Sequence, residues 1–319
     1  MLKQNSSDNK LFTVGFYNLE NLFDIKNDIK TLDDDFTEHA DRKWNKERFR
    51  KKIKKLSKVI SKIGIKEAGH PPILLGVAEV ENSYVLEKLT TAKHLKPYNY
   101  GFVHFDSPDE RGIDTALLYR KEEVSIIEKQ TYTLYITTET GERDYTRDIL
   151  HVTCSYKKEI LHILVNHWPS RRAGTIETDY KRIAAAEKNR EISASIIAKN
   201  PDSKIIIMGD FNDDPKSKSL QVLAGNEFYN PMELLHTKYE GSLNYKGNWN
   251  LFDQILISNS FFQVQNNPIR FKDAVIFNKK IVQEYTGKYK GNPFRTYIGK
   301  KYLGGYSDHF PVFALFSKK

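Results

Sequence analysis

Only one cysteine, Cys154, occurs in 319 residues, so no disulfide can close within the chain and a reducing compartment is expected. No stretch approaches ~18 uninterrupted apolar residues, the length a membrane-crossing helix requires. The opening residues, MLKQNSSDNKLFTVGFYNLEN, lack the apolar centre of a secretory signal. A cytoplasmic protein is the expectation, although an export signal already cleaved away would leave the same sequence. Also missing are a Pro/Gly/Ser linker, a low-complexity tract, a break in composition and an internal repeat. One domain over 1–319 is therefore expected, with residues 1–10 as a flexible tail. What the chain does have is a 39% hydrophobic fraction with 18 Tyr and 18 Phe, enough to bury a substantial core. Its 50 Lys+Arg outnumber its 41 Asp+Glu, and a net charge of +9 gives a surface that attracts polyanions: nucleic acids, polyphosphates or anionic headgroups.

Short β-branched or aromatic runs ending in polar residues predict strands at 11–17, 73–80, 115–120, 149–156, 160–167, 204–210, 252–258 and 310–316. Two helical patterns stand between them. Over 45–63, Phe49, Ile53, Leu56, Ile60 and Ile63 recur at steps of four and three, and the opposite face is almost solid Lys/Arg, read as solvated. From Asp179 to Lys199, apolar Ile183, Ala186, Ile192, Ile196 and Ile197 alternate with polar residues until Pro201 stops the helix. Many strands and few helices suggest two sheets packed face to face with helices outside.

Five of these strands meet acid, amide or imidazole groups at an end: Asn18 and Glu20, Glu79 and Glu81, Asn166 and His167, Asp210 and Asn212, and Asp308 and His309. Solvated turns alone explain this poorly, whereas strand ends collected at one rim would build a pocket from them. In isolation GDFNDDP is a good turn, since Asn, Asp and Pro all favour turns, and the spacing of Asp210 and Asn212 would also place both on one side of an extended segment. Apolar Val77, Ala78 and Val80 surround Glu79, a setting in which an unpaired carboxylate is costly and a cation would relieve the cost. His309 is the kind of imidazole that a carboxylate such as Asp253 orients and makes more basic. In HWPSRR an imidazole precedes two guanidiniums, whose fork suits phosphate oxygens, while Trp168 and Pro169 read as packing. The acidic run 32–41 reads as a solvated loop and Cys154 as a small core residue.

Taken together, YNLEN (17–21), VAEVEN (77–82), RGIDTALLY (111–119), NHWPSR (166–171), GDFND (209–213), FDQILIS (252–258) and YSDHFPV (306–312) resemble, in order and spacing, the motifs of the endonuclease/exonuclease/phosphatase superfamily, DNase I-like proteins included. GNWNLFDQ and YLGGYSDHFPV are most similar to a bacterial branch. The resemblance implies a four-layer α/β/β/α sandwich of two mixed sheets flanked by helices, with the site at one rim. It implies Mg²⁺, or Mn²⁺, held by Glu79 with Asp308 and with Asn18 close by. Asp210 and Asn212 would position or deprotonate the attacking water, His309 oriented by Asp253 would act as base or phosphate ligand, and His167 would bind phosphate or assist the leaving group. Arg111, Asn166 and Arg171 fall at phosphate-binding positions and Asp114 at a supporting one. One position departs from the pattern: Ala78 precedes Glu79 where the family usually carries Gln.

The expected activity is divalent-metal-dependent hydrolysis of a phosphate ester by in-line attack of water, with a nucleic-acid phosphodiester as first substrate and no obligate protein partner. A phosphatase or phospholipase-like enzyme acting on inositol phosphates, nucleotides or lipid headgroups is the alternative, and an inactive binding scaffold a further one. Substrate choice is expected in 278–305, where basic and aromatic residues alternate.

Overall fold

A computed structural model describes residues 10–138, 140–172, 174–263 and 268–318. In chain order the main strands are β1 (Lys10–Leu22), β2 (Leu74–Val80), β3 (Tyr100–His104), β4 (Asp114–Arg120), β5 (Val124–Tyr132), β6 (Ile149–Tyr156), β7 (Glu159–His167), β8 (Lys204–Asp210), β9 (Phe228–Tyr229), β10 (Asp253–Ser258), β11 (Ile269–Ile276) and β12 (Val312–Lys318). The longer helices are α1 (Lys46–Ile60), α2 (Ser83–Thr90), α3 (Asp179–Lys199) and α4 (Lys218–Ala224). Lys10, expected in a tail, already pairs with Lys318, and residues 1–9 lie outside the described residues.

The strands form two six-stranded mixed sheets, ordered β11-β12-β1-β2-β4-β3 and β9-β10-β8-β7-β6-β5. Each has one parallel pair at its centre, β1 with β2 and β7 with β8, flanked by antiparallel neighbours. Parallel neighbours require a long crossover, supplied by the segments that contain α1 and α3. The carboxyl ends of all four central strands therefore reach the same rim, where their antiparallel neighbours β10 and β12 begin.

Side-chain alternation builds the layers. Ile206 and Met208 enter a core between the sheets with Phe16, Val77 and Ile255, while Ile205 and Ile207 face the other way onto Ala185, Ala186, Ile192 and Leu223 of the helices. Both faces of β8 are covered, which is why its sequence is a continuous apolar run. Gly76 lets the sheets close, because a Cβ there would stand 2.6 Å from Met208 Sδ. Leu56, Val59 and Ile60 of α1 and Val85, Leu86 and Leu89 of α2 complete the four layers. Among the described residues no helix is long and apolar enough to cross a membrane.

Local signals act as expected at α1, where the Asn45 side chain caps the helix by accepting from Glu47 N and Arg48 N at 3.1 and 3.0 Å. Its basic face differs from the expectation: Lys52 is 2% exposed, donating to Thr296 Oγ1 and Tyr306 O. In α3 the buried face carries Arg182 and Asn189 beside Ala185, Ile192 and Ile196, polar residues that an apolar periodicity overlooks. The acidic run 32–41 is not wholly solvated either, since Asp33 is buried and accepts from Asp28 N.

Candidate active site

Register places the central groups side by side. Asp210 pairs with His167 on one side and Asp253 on the other, so three adjacent strands present these residues at one height on one face. The second sheet faces them with Asn18 and Glu79. Asn18 Nδ2 donates to Asp210 Oδ2 at 3.0 Å, and His167 Nε2 lies 3.8 Å from Asp210 Oδ2 and 3.9 Å from Glu79 Oε1. His309 Nδ1 meets Asp253 Oδ2 at 2.6 Å, and its Nε2 is 4.0 Å from Asp210 Oδ2. Asp308, next to His309, is held by Arg295 Nη2 at 2.6 Å.

The backbone is bent to achieve this. Register shifts interrupt β1 between Asn18 and Leu22 and β2 between Ala78 and Val80. Glu20, Asn21 and Glu79 stand there at φ values of 52°, 50° and 60°. A left-handed non-glycine residue costs roughly 1–2 kcal/mol, so this strain is sustained by the contacts it makes possible. Asn21 N donates to Glu79 Oε2 at 2.8 Å, and the Glu20 carboxylate accepts from Thr296 N and Tyr297 N. Ala78 is buried and has no amide to offer Glu79, so the backbone of Asn21 stabilises that carboxylate here. Asn212 does not continue the strand: at φ 50° its N–H closes a turn on Asp210 Oδ1 at 3.0 Å, and its Nδ2 donates to Trp168 O.

Two buried polar atoms of this rim, His167 Nδ1 and Asp253 Oδ1, have no hydrogen-bond partner among the described residues. Each orphaned group costs about 1–3 kcal/mol, which a ligand or water would recover. Asn166, expected at a phosphate-binding position, is instead on the helix side of the sheet, since alternation turns it away from His167 and its Oδ1 accepts from Trp168 Nε1 and from Asn189 Nδ2 of α3. Burial pushes the Asp210 carboxyl up to about 6, against the pull of His309. Burial also holds His167 well below its ordinary value, helped by Arg147 and Arg111, so it is a neutral imidazole. Burial works to lower His309 too, but Asp253 and then Asp210 outweigh it and keep the imidazolium form. For Asp308, the opposing pull of His309, Arg295 and Lys52 overcomes burial and lowers its value.

The remaining predicted residues have other engagements. Arg111 Nη2 donates to Asn21 Oδ1 at 2.8 Å, next to Glu79. Arg171 is committed to Asp213, with two contacts to Oδ1 at 3.0 and 2.5 Å, and it stacks on Phe252. Asp114 accepts from Ser107 N and contacts His104 Nε2 at 3.1 Å, outside the Asp210 group. Residues given no role from sequence also support the rim. Arg147 braces the backbone after β7 through His167 O and Trp168 O while pairing with Asp109, and Arg182 holds Asp213 at 2.8 Å. A lone Arg within a polar stretch has no local pattern by which to find it.

The donor set suits a hard divalent cation. Glu79 and Asp308 are carboxylates with one oxygen fixed by a protein donor, and Mg²⁺ accepts few protein carboxylates and completes its shell with water and phosphate oxygens. Asp210, Asp253 and His309 form a tighter trio, their ligand atoms within 4.8 Å of one another. Because His309 and Asp253 are bonded to each other, that trio is better suited to proton and phosphate handling than to caging an ion.

Comparison with curated proteins finds no match to this sequence. Among solved structures, a family protein from Bacteroides thetaiotaomicron is similar, with a TM-score of 0.59 at 16% identity over 97% of this chain and 95% of that one. The human Nocturnin catalytic domain with bound sulfate gives 0.60 at 14% identity over 97% and 94%. D. rerio TDP2 complexed with single strand DNA product gives 0.56 at 15% identity over 97% and 99%. At such identities the likeness is one of fold. The sequence itself matches the model of the Endonuclease/Exonuclease/phosphatase family over residues 13–318, nearly its whole length. With its two sheets, its polar rim and that match, the chain belongs to the endonuclease/exonuclease/phosphatase family.

Proposed function

We propose that this protein is a divalent-metal-dependent phosphodiesterase acting on nucleic acid, with Glu79 and Asp308 as the carboxylates that hold the metal. A bound Mg²⁺ supplies positive charge that polarises the phosphate and offsets the charge developing in the transition state. Asp210, its two oxygens fixed by Asn18 and by the N–H of Asn212, orients the attacking water and takes its proton. With a pKa near 6 it is mostly ionised at neutral pH yet basic enough to serve. The water oxygen bonds to phosphorus as the bond to the opposite ester oxygen breaks. The His309 imidazolium, held by Asp253, stabilises the equatorial phosphate oxygens. Neutral His167 lies between Glu79 and Asp210 as a further phosphate ligand.

The observation that carries this reading is the convergence of Asn18, Glu79, His167, Asp210 and His309 within hydrogen-bonding or near-contact steps, with His167 Nδ1 left unsatisfied among the described residues. The positive net charge favours a polyanionic substrate, and a similar fold is known with a single strand DNA product. The test is hydrolysis of bis(p-nitrophenyl) phosphate, DNA, RNA and inositol phosphates with Mg²⁺ or Mn²⁺. We expect metal-dependent cleavage of diesters, reduced at least ~100-fold in Glu79→Gln and Asp210→Asn. A folded protein that hydrolyses none of them, or cleavage unchanged in both variants, refutes the proposal.

A further inference from the structure

The catalytic rim continues into two clefts. One, of about 630 Å³, is lined by Asn244–Gly247 ahead of β10 and by residues between 284 and 298 ahead of β12, and it reaches Asp308. The other, of about 260 Å³, is lined by residues 109–111 ahead of β4, 144–147 ahead of β6 and 169–172 after β7. Sheet order fixes their relation. In the first sheet β12 and β4 flank the β1–β2 pair that carries Asn18 and Glu79, and in the second β10 and β6 flank the β7–β8 pair that carries His167 and Asp210. The two clefts therefore open on opposite sides of the catalytic groups.

Both contain the same two kinds of group. Lys246 and Lys288 in the wide cleft, and Arg111 and Arg172 in the narrow one, pair with no carboxylate among the described residues. The other cations are committed, Arg295 to Asp308, Arg147 to Asp109 and Lys181 to Asp144. One acid in each cleft, Glu284 and Glu110, opposes that pair, of which Arg111 also donates to Asn21 Oδ1. Both clefts also present open aromatic rings: Tyr245 and Tyr289 are 63% and 45% exposed on the wide side, and Tyr145 is 43% exposed on the narrow one. Each ring has a cation over it, Lys246, Lys288 and Arg143, at 5.2, 5.7 and 4.5 Å from the centroid.

We infer that the two clefts form one track for a single-stranded polynucleotide, which passes through the catalytic groups with nucleotides held on both sides of the scissile phosphate and is therefore cut internally. This rests on the phosphodiesterase reading above. Alternating cations and stacking surfaces match alternating phosphates and bases, and a monophosphate ester would occupy neither arm. A duplex keeps its base faces stacked away from the tyrosines. Beyond Tyr145 a third cleft, lined by Asp28, Asp106, Asp109, Glu110 and Asp114 against one cation, Lys30, is unfavourable to phosphate, so the narrow arm leads past Arg172 toward the start of α3.

Circular single-stranded DNA and circular RNA, which have no ends, test the idea in the presence of Mg²⁺, alongside bis(p-nitrophenyl) phosphate, which spans neither arm. We expect the circles to be opened. Arg172→Ala, Tyr145→Ala and the pair Lys246→Ala/Lys288→Ala should each lower kcat/KM on circles about tenfold while the small diester changes less than about twofold. Each lost phosphate contact should also lower the slope of log affinity against log salt by about 0.7. Hydrolysis of the small diester with the circles intact overturns the track and leaves the phosphodiesterase reading standing. Hydrolysis of nothing overturns both. Circles opened undiminished by variants of either arm, or a closed duplex circle opened as fast as a single-stranded one, also defeat the inference.

Discussion

Lys52 gives the most demanding test of how the rim is held. Its ammonium is buried 3.6 Å from Glu20 Oε2 and donates to Thr296 Oγ1 at 2.5 Å and Tyr306 O at 2.7 Å. Glu20 in turn accepts from Thr296 N and Tyr297 N, so the pair ties the strained end of β1 to the segment that presents Arg295 and Asp308. At 3.6 Å and an effective dielectric of 20, the attraction is about 5 kcal/mol. Desolvation opposes it on both sides: burial lowers the Lys52 pKa and raises that of Glu20. The net worth of the pair is thus small, but breaking it is not. Lys52→Met keeps the bulk, strands the Glu20 carboxylate and should cost about 3–5 kcal/mol. Lys52→Met with Glu20→Gln removes both charges and should cost about 1–3 kcal/mol less than the sum of the single changes. Chemical denaturation gives both numbers from the midpoint at constant slope, and limited proteolysis of 292–306 should quicken in the single variant. A loss under about 1 kcal/mol in Lys52→Met, or simple additivity in the double variant, refutes the buried tie.

Further outcomes are expected at the dyad and in the second sheet. On the proposed mechanism, Asp253→Asn removes the charge that orients His309 across 2.6 Å and should lower kcat/KM for bis(p-nitrophenyl) phosphate by roughly 100-fold or more, whereas a loss under about threefold denies Asp253 that role. Burial, together with His162 and Lys199, pushes buried His151 down to about 4. Between about pH 6.5 and 4 the unfolded chain then binds the extra proton, so the stability this group confers is whole above 6.5 and is lost on acidification, up to about 3 kcal/mol. His151→Gln should flatten the stability–pH curve in that window, and an unchanged slope on acid titration of unfolding would contradict the assignment.

Most of the strand plan was legible because it depends on neighbours in the chain. The run KIIIMGD and the turn signals after it mark β8 whatever the rest of the molecule does, and Asn45 caps α1 by a contact two and three residues away. Four strands escaped this reading, the two-residue Phe228–Tyr229 among them. Val124–Tyr132 is an edge strand whose exposed charges interrupt the apolar pattern, and Tyr100–His104 and Ile269–Ile276 are short or charged in the same way. Asp253 as the partner of His309 was legible as chemistry, since an imidazole at such a rim needs an acid.

The amino-acid order by itself determined which residues become strand ends, and hence that acids, amides and imidazoles would collect where β1, β2, β7 and β8 finish. Folding alone decided how those groups are used. It turned Glu20 and Glu79 through left-handed backbone, buried Lys52 out of a face that reads as solvated, occupied Arg171 with Asp213 and put Arg111 and Lys246, neither paired with a carboxylate among the described residues, on opposite sides of the rim. Periodicity is set by residues a few positions apart, whereas which charge finds a partner is set by the packing of two sheets whose contacting residues, like Asn18 and Asp210, stand 192 positions apart.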